Sequence, residues 1–120
     1  EQLDQSVIFA GVQTDIADLL QLMDVFVFPS ITEGFGISII EAQAAGVPCV
    51  ISDAIPESVD MGVGIVNRES LGNIEDWIID ILKDNHTKWD KKIIRQKIKK
   101  KGFDLENLVT DIQELYINRL

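Results

Sequence analysis

The part of this 120-residue chain that decides the fold is residues 29–48, PSITEGFGISIIEAQAAGVP. An apolar run without polar alternation, Val25 to Phe28, precedes it, as is typical of a strand covered on both faces. Gly46 and Pro48 stand where a helix would end. The pattern therefore predicts a strand, a glycine-rich loop, a helix and a second strand.

The loop of this stretch is suited to holding an anion. Gly34 and Gly36 allow the backbone to approach a ligand closely, and a helix that begins near Phe35 or Gly36 offers unpaired N–H groups and the positive end of its dipole. Glu33 lies in the loop and Glu41 just over one turn into the helix, so at about 1.5 Å per helical residue their carboxylates are expected roughly 8 to 12 Å apart. That spacing suits two acceptors that bind the hydroxyls of a sugar and a ribose on either side of a diphosphate.

The order Glu33-Gly-Phe-Gly, then Glu41-Ala and Ala45-Gly-x-Pro, resembles the Glu-x7-Glu signature of group 1 glycosyltransferases, a retaining family with the GT-B fold. The resemblance covers about residues 6–83 and is weaker from there to the end. Residues 52–57, SDAIPE, are similar to bacterial members that build exopolysaccharide or capsule. The alternative is any doubly wound βαβ unit with glycines in its turn.

In this family the first Glu contacts the donor hexose and the second contacts the ribose. The resemblance implies that Glu33 is the catalytic-site carboxylate that orients the sugar and that Glu41 binds the ribose. It also implies that Gly34, Phe35 and Gly36 supply backbone N–H groups to the donor. Glu33 is not assigned as a nucleophile, because sequence places no second carboxylate at the roughly 5 Å that a double-displacement pair requires. No cofactor is implied, since the nucleotide-sugar, expected to be a UDP-sugar, is the substrate.

The fold class expected from the chain is α/β, a Rossmann-like parallel sheet with helices on both faces, followed by carboxyl-terminal helices. A helix between the first two strands is expected from Thr14 or Asp15 to Met23. The helical tail, residues 69–120, is expected to hold three helices, which begin near Ser70, Thr87 and Asp104. The predicted strands lie in the core, residues 6–67, and span residues 6–11, 25–28, 47–52 and 63–67.

Residues 1–120 are expected to form one incomplete nucleotide-sugar-binding domain, part of a GT-B carboxyl-terminal domain. The resemblance implies two further strands, an Arg and Lys pair that clamps the diphosphate, and an amino-terminal GT-B domain, all upstream of residue 1. It also implies the strand order 3-2-1-4-5-6, so one edge of the strand at 25–28 should be open.

Charge is divided sharply along the chain, whose net charge is −9. Residues 1–80 carry 14 acidic side chains and one basic side chain, Arg68, whereas residues 81–101 carry nine basic and two acidic ones. The basic helix, Lys88 to Lys101, has three interpretations: a solvated face, which is favoured, a patch for anionic lipid headgroups, or a nucleic-acid contact. Nucleic acid is not expected as a partner, because Trp89 is the only aromatic there and the body is acidic.

Further candidate residues lie in loops near the predicted strand ends. Ser30 and Glu57 are candidate contacts to donor or acceptor, although Glu57 and Ser58 are equally well explained as solvent-exposed loop residues. Cys49 lies in an apolar run and is predicted to be a buried, inert thiol. No metal site is expected from one His and one Cys.

The chain is therefore expected to be the donor-binding portion of a glycosyltransferase that transfers a hexosyl unit to a glycan or lipid-linked acceptor, and inactive alone. Two alternatives remain, a nucleotide-sugar epimerase of GT-B fold and a non-catalytic truncated interaction module. No apolar run approaches the roughly 18 residues of a membrane span. The expected location is cytoplasmic, with peripheral contact at the inner face of the membrane.

Overall fold

A computed structural model describes residues 5–83 and 89–103 of the chain. The helix predicted from Asp104 to the terminus lies outside these residues, as does Thr87. In chain order, the elements are α1 (Ile16–Gln21), β1 (Phe26–Phe28), α2 (Ile37–Ala45), β2 (Cys49–Ser52), a 3₁₀ turn (Glu57–Val59), β3 (Val66–Glu69), α3 (Ile74–Leu82) and α4 (Lys91–Lys100).

The sheet formed by the described residues has three parallel strands in the order β1-β2-β3. Phe26 lies opposite Cys49, and Val50 lies opposite Asn67. Within the described part of the chain β1 pairs with β2 alone, so the predicted open edge is present. The predicted α/β, Rossmann-like class is confirmed.

The central strand β2 is buried along its whole length, which requires cover on both faces. Cys49 and Ile51 pack in one apolar cluster with Ile39 and Ala42 of α2. The alternate residues of β2 point to the opposite face, where α3 packs against β2 and β3. Burial raises the pKa of the Cys49 thiol to about 12, with a further contribution from Asp60, so the thiol stays protonated and inert as predicted.

The segment 6–11 is not a strand, which corrects the prediction from its apolar composition. It has no regular secondary structure and is exposed throughout, with Ile8 and Phe9 90% and 95% accessible. An extended segment needs a neighbouring strand to pair its backbone N–H and C=O groups, and no described residue provides one. The same open edge explains why β1 is half-buried instead of covered on both faces.

The start of β3 and the burial of α3 also differ from the sequence pattern. β3 begins at Val66 instead of Val63, although Val63 and Ile65 are still buried in the core. In α3 the predicted apolar face is buried only at Trp77, whose indole N–H donates to the Ser70 carbonyl at 2.9 Å. Apolar spacing identified the helix correctly but overestimated how much of it the narrow sheet covers.

The predicted basic helix α4 is present and packs on α2, but it begins at Lys91 instead of near Thr87. The Asp90 side chain caps its N-terminus by accepting from the N–H groups of Lys92 and Ile93. Ile94 and Ile98 are buried in a cluster with Ile40, Met61, Val63 and Ile65. One apolar stripe therefore attaches a strongly basic helix to the acidic body.

A buried amide ties the loop after β2 to α2. Gln43 is fully buried, and its Nε2 donates to the carbonyls of Ile39 at 3.2 Å and Val59 at 2.8 Å. Its Oε1 accepts from the N–H of Met61 at 2.9 Å. The sequence pattern gave no indication of this contact, because Gln43 falls among helix residues without a distinguishing motif.

We expect Gln43→Leu to lower the free energy of unfolding by about 2 to 4 kcal/mol. The substitution leaves the Val59 carbonyl and the Met61 N–H buried without partners, at about 1–3 kcal/mol each. Urea denaturation followed by circular dichroism measures the change. The matched control is Gln96→Leu on the exposed face of α4, where a change within about 0.5 kcal/mol is expected. Equal losses in the two variants would contradict the role of the buried amide.

Candidate functional site

The N-terminus of α2 forms the centre of the candidate site. Gly36 is the N-cap residue and adopts a left-handed conformation with φ of +64°, and its carbonyl accepts from the N–H of Ile39 at 3.0 Å. No side chain among the described residues caps this helix end. Its first N–H groups and the positive end of its dipole therefore have no described side chain capping them, and the binding of an anion there stays a prediction.

The structure explains the presence of glycine at only one of the two glycine positions in the loop. A Cβ at Gly36 would lie 2.9 Å from Cγ1 of Val59 and 3.3 Å from Cδ1 of Ile39, so only glycine fits this position without movement. A Cβ at Gly34 would meet nothing within 4 Å. Packing thus requires glycine at position 36. At position 34 the backbone is exposed, and packing does not require glycine there.

Ser30 and Glu33 are brought together just after β1. The Ser30 hydroxyl lies 3.0 Å from Oε1 of Glu33, to which it donates, and also 3.0 Å from the Thr32 carbonyl. This contact fixes the direction of the Glu33 carboxylate while leaving it accepting capacity for other donors. Ser30 therefore orients Glu33, and its own contact with a ligand stays a prediction.

Glu41 lies on the exposed side of α2 and lines a groove of about 340 Å³ between α1, α2 and α4. Ile16, Ala17 and Leu20 contribute apolar walls, and Arg95 of α4 lines the same groove. At one end, Nζ of Lys91 donates to Oε1 of Gln21 at 3.1 Å and joins α4 to α1. The groove thus combines apolar walls with the polar side chains of Gln21, Glu41 and Arg95, and its volume lies in the range of small-molecule sites.

The turn that carries Glu57 lies beside the helix N-terminus. Val59 of this turn contacts Gly36, and Glu57 itself is exposed. Arg68 of β3 holds the preceding loop, because its Nη2 donates to the carbonyls of Ile55 and Asp53. Glu57 is therefore close to the site, and its contact with a ligand stays a prediction.

Sequence reasoning missed Arg95 and Phe103, which approach the site from the far end of the chain. Arg95 shares the groove of Glu41, and the Phe103 ring lies against Phe35 of the loop with centroids 5.7 Å apart. Helical periodicity describes each helix separately and does not show which helices become neighbours. The one available signal was the concentration of basic residues in a chain whose predicted anion site had no cation nearby.

Residues 1–84 match the family model described as glycosyl transferases group 1. The chain belongs to this family. It is 36% identical over 118 residues to the putative glycosyltransferase EpsF of Bacillus subtilis, an alignment that covers 97% of the chain and 31% of that relative. It is 28% identical over 120 residues to the UDP-Gal:alpha-D-GlcNAc-diphosphoundecaprenol alpha-1,3-galactosyltransferase of Escherichia coli, again over 97% of the chain and 31% of the relative.

A shorter region is more similar to a third glycosyltransferase. Over 45 residues the chain is 49% identical to the N,N'-diacetylbacillosaminyl-diphospho-undecaprenol alpha-1,3-N-acetylgalactosaminyltransferase of Campylobacter jejuni, covering 38% of the chain and 12% of that protein. This group 1 glycosyltransferase chain spans 31% of the length of the first two relatives. The family match ends at residue 84, before α4, whereas the alignments to the first two relatives cover 97% of the chain.

We expect Gly36→Ala to destabilise this group 1 glycosyltransferase chain and Gly34→Ala to leave its stability unchanged within about 0.5 kcal/mol. Gly36→Ala forces a left-handed φ on an L-residue and a contact with Val59, and strain of this kind costs about 1–3 kcal/mol. Urea unfolding of both variants measures the difference. A larger loss in Gly34→Ala than in Gly36→Ala would show that the loop does not have the described packing.

Proposed function

We propose that this chain is the donor-binding part of a retaining glycosyltransferase that transfers a hexosyl unit from a nucleotide-sugar to a glycan or lipid-linked acceptor. The observation that carries the proposal is the uncapped N-terminus of α2, with Glu33 held by Ser30 in the preceding loop and Glu41 on the same helix. These features provide one site for an anion and two for hydroxyl groups on a single short segment.

In the proposed complex the diphosphate binds the N–H groups of Gly34, Phe35 and Gly36. Glu33 accepts from hydroxyls of the hexose and so orients it, and Glu41 accepts from the ribose hydroxyls at the groove. As the glycosidic bond breaks, negative charge grows on the leaving diphosphate, where the positive end of the α2 dipole stabilises it. Glu57 is proposed as a further loop contact to donor or acceptor.

The named activities of the relatives support the choice of donor and acceptor. The Escherichia coli relative is named for a UDP-galactose donor, and both it and the Campylobacter relative are named for diphosphoundecaprenol-linked acceptors. We therefore propose a UDP-sugar donor and a lipid-linked acceptor for the whole protein. Residues 1–120 would form one incomplete domain, with its core in 6–67 and its helical tail in 69–120, and an amino-terminal GT-B domain would bind the acceptor.

Calorimetric titration of the chain with UDP, UDP-glucose and GDP at low salt tests the donor site. We expect binding of a uridine nucleotide, and a roughly ten- to hundredfold loss of affinity in Glu41→Ala, because hydrogen bonds to a charged group contribute about 1.5–3 kcal/mol. The matched control is Glu75→Ala, which removes an exposed carboxylate from the first turn of α3.

Two results would contradict the proposed donor site. The first is no nucleotide binding by a wild-type chain that unfolds cooperatively, and the second is the same affinity in Glu41→Ala and Glu75→Ala. Self-association that depends on concentration, without nucleotide binding, would instead support an interaction module.

We also propose that the protein works at the inner, cytoplasmic face of the cell membrane and contacts anionic lipid through α4. No helix in the described residues is both long and apolar enough to cross a bilayer. The four lysines Lys92, Lys97, Lys100 and Lys101 of α4 are all exposed. Nζ of Lys97 and Nζ of Lys101 donate to the carbonyls of Gly62 and Asp60, whereas the other two ammonium groups make no such contact with the described residues. Ile93, also on this helix, is 52% exposed. A basic surface with an exposed apolar side chain suits an anionic lipid interface.

Cosedimentation with vesicles tests this contact, using phosphatidylcholine with and without 30% phosphatidylglycerol. We expect binding only to the anionic vesicles and a roughly thirtyfold loss in the double variant Lys92→Gln/Lys100→Gln, at about 1 kcal/mol per basic residue near the surface. The control Lys97→Gln/Lys101→Gln removes the same charge from the side that faces the body. Equal losses in the two double variants would mean that net charge, not this face of α4, governs binding.

A further inference from the structure

The C-terminal end of α4 contacts both segments that flank the N-terminus of α2. On one side the Phe103 ring lies against Phe35, with centroids 5.7 Å apart and planes tilted by 44°. On the other side Nζ of Lys101 donates to the Asp60 carbonyl at 2.5 Å, and Nζ of Lys97 to the Gly62 carbonyl at 2.6 Å. The loop and the turn that form the candidate site are thus both in contact with one helix end.

The position of Phe103 is set by how α4 ends. Gly102 adopts a left-handed conformation with φ of +84°, its N–H donates to the Lys99 carbonyl at 3.0 Å, and the N–H of Phe103 donates to the Ile98 carbonyl at 3.4 Å. These bonds are the pair that defines a Schellman motif. The motif turns the chain sharply after Lys101 and directs Phe103 towards the loop.

The loop itself has few other contacts on its exposed side. Phe35 is 57% exposed, and a Cβ at Gly34 would have no neighbour within 4 Å. Gly36, at the inner end of the loop, is fixed by Val59, which Gln43 holds in turn. The inner end is therefore tightly packed, and the Phe35–Phe103 contact secures the outer end.

We propose that Phe103 is a positioning residue for the donor site, holding the N–H groups of Gly34, Phe35 and Gly36 in a common direction through its contact with Phe35. The inference rests on the proposed function, in which the diphosphate of the donor binds these N–H groups. Backbone donors aligned before the ligand arrives bind it more tightly, since less conformational entropy is lost on binding.

Amide hydrogen exchange, measured by NMR on the chain without ligand, tests the positioning directly. We expect Phe103→Ala to speed exchange at Ile39 and Ile40, whose N–H groups bond to the Gly36 carbonyl, by about three- to tenfold, the range that an aromatic pair provides. Exchange at Val50 and Ile51 in the central strand should not change. Phe103→Tyr, which keeps the ring, should restore the wild-type rates.

Two further variants separate the ring contact from general effects on α4. Ile93→Ala removes an exposed apolar side chain from the same helix and should leave Ile39 and Ile40 at wild-type rates. Gly102→Ala keeps the ring but strains the left-handed position, and it should speed the same two amides. Equal exchange in Phe103→Ala and Ile93→Ala overturns the proposal, as does faster exchange at Val50 in Phe103→Ala, which would make Phe103 a general stability residue.

Titration with UDP connects the contact to the donor and keeps the two proposals distinguishable. We expect a three- to tenfold weaker affinity in Phe103→Ala and wild-type affinity in Phe103→Tyr. If the wild-type chain binds no nucleotide while the exchange pattern is as expected, the donor function fails and the loop contact stands. If UDP binds equally to wild type and Phe103→Ala, the donor function stands and the positioning role is overturned.

Discussion

The close contact between Gly36 and Val59 is the constraint on which the rest of the structure depends. Gly36 ends the loop after β1 and begins α2, while Val59 belongs to the turn after β2. Because nothing larger than hydrogen fits between them, the carboxyl ends of two neighbouring strands are brought together at the start of one helix. The left-handed φ of Gly36 lets the chain enter α2 directly from the loop, and no described side chain caps the helix N-terminus.

The loop that follows β2 is held by hydrogen bonds from the side that faces the core, so its outer surface stays uncovered. Gln43 binds the backbone of Val59 and Met61 from within α2, and Arg68 binds the carbonyls of Asp53 and Ile55 from β3. Buried Ile55, Val59 and Met61 anchor the loop after β2 from the same side. Hydrogen bonds to backbone carbonyls fix a loop at single points, which is what a site needs if a ligand is to reach the backbone on the other side.

The local sequence pattern was sufficient to predict the secondary structure around the site. It did not predict contacts between distant segments of the chain. Residues 29–48 predicted the strand, the loop, the start of α2 near Gly36 and the next strand, because glycine positions and apolar runs are local signals. The same reasoning failed for residues 6–11, since an apolar run is a strand only where a partner strand exists. Local reasoning could not find the contact of Phe103 with Phe35. The proposed roles of Glu33 and Glu41 towards a ligand rest on the family resemblance and on where the two residues lie, near the helix end and in the groove.

The charge around the candidate site differs between the sequence and the fold. Counted by segment, the candidate site lies in a strongly acidic region with Arg68 as its only base, which is unfavourable for a diphosphate. In the fold, α4 packs on α2, so Arg95 enters the groove of Glu41 and Lys101 is held at the turn beside the loop. Electrostatic interactions weaken over about 8 Å at physiological salt, so these nearby cations affect the site more than distant carboxylates do. The potential that an anionic ligand meets therefore includes cations of α4 as well as the nearby carboxylates of Glu33, Glu41 and Glu57, and the net charge of the segment that carries the signature does not describe it.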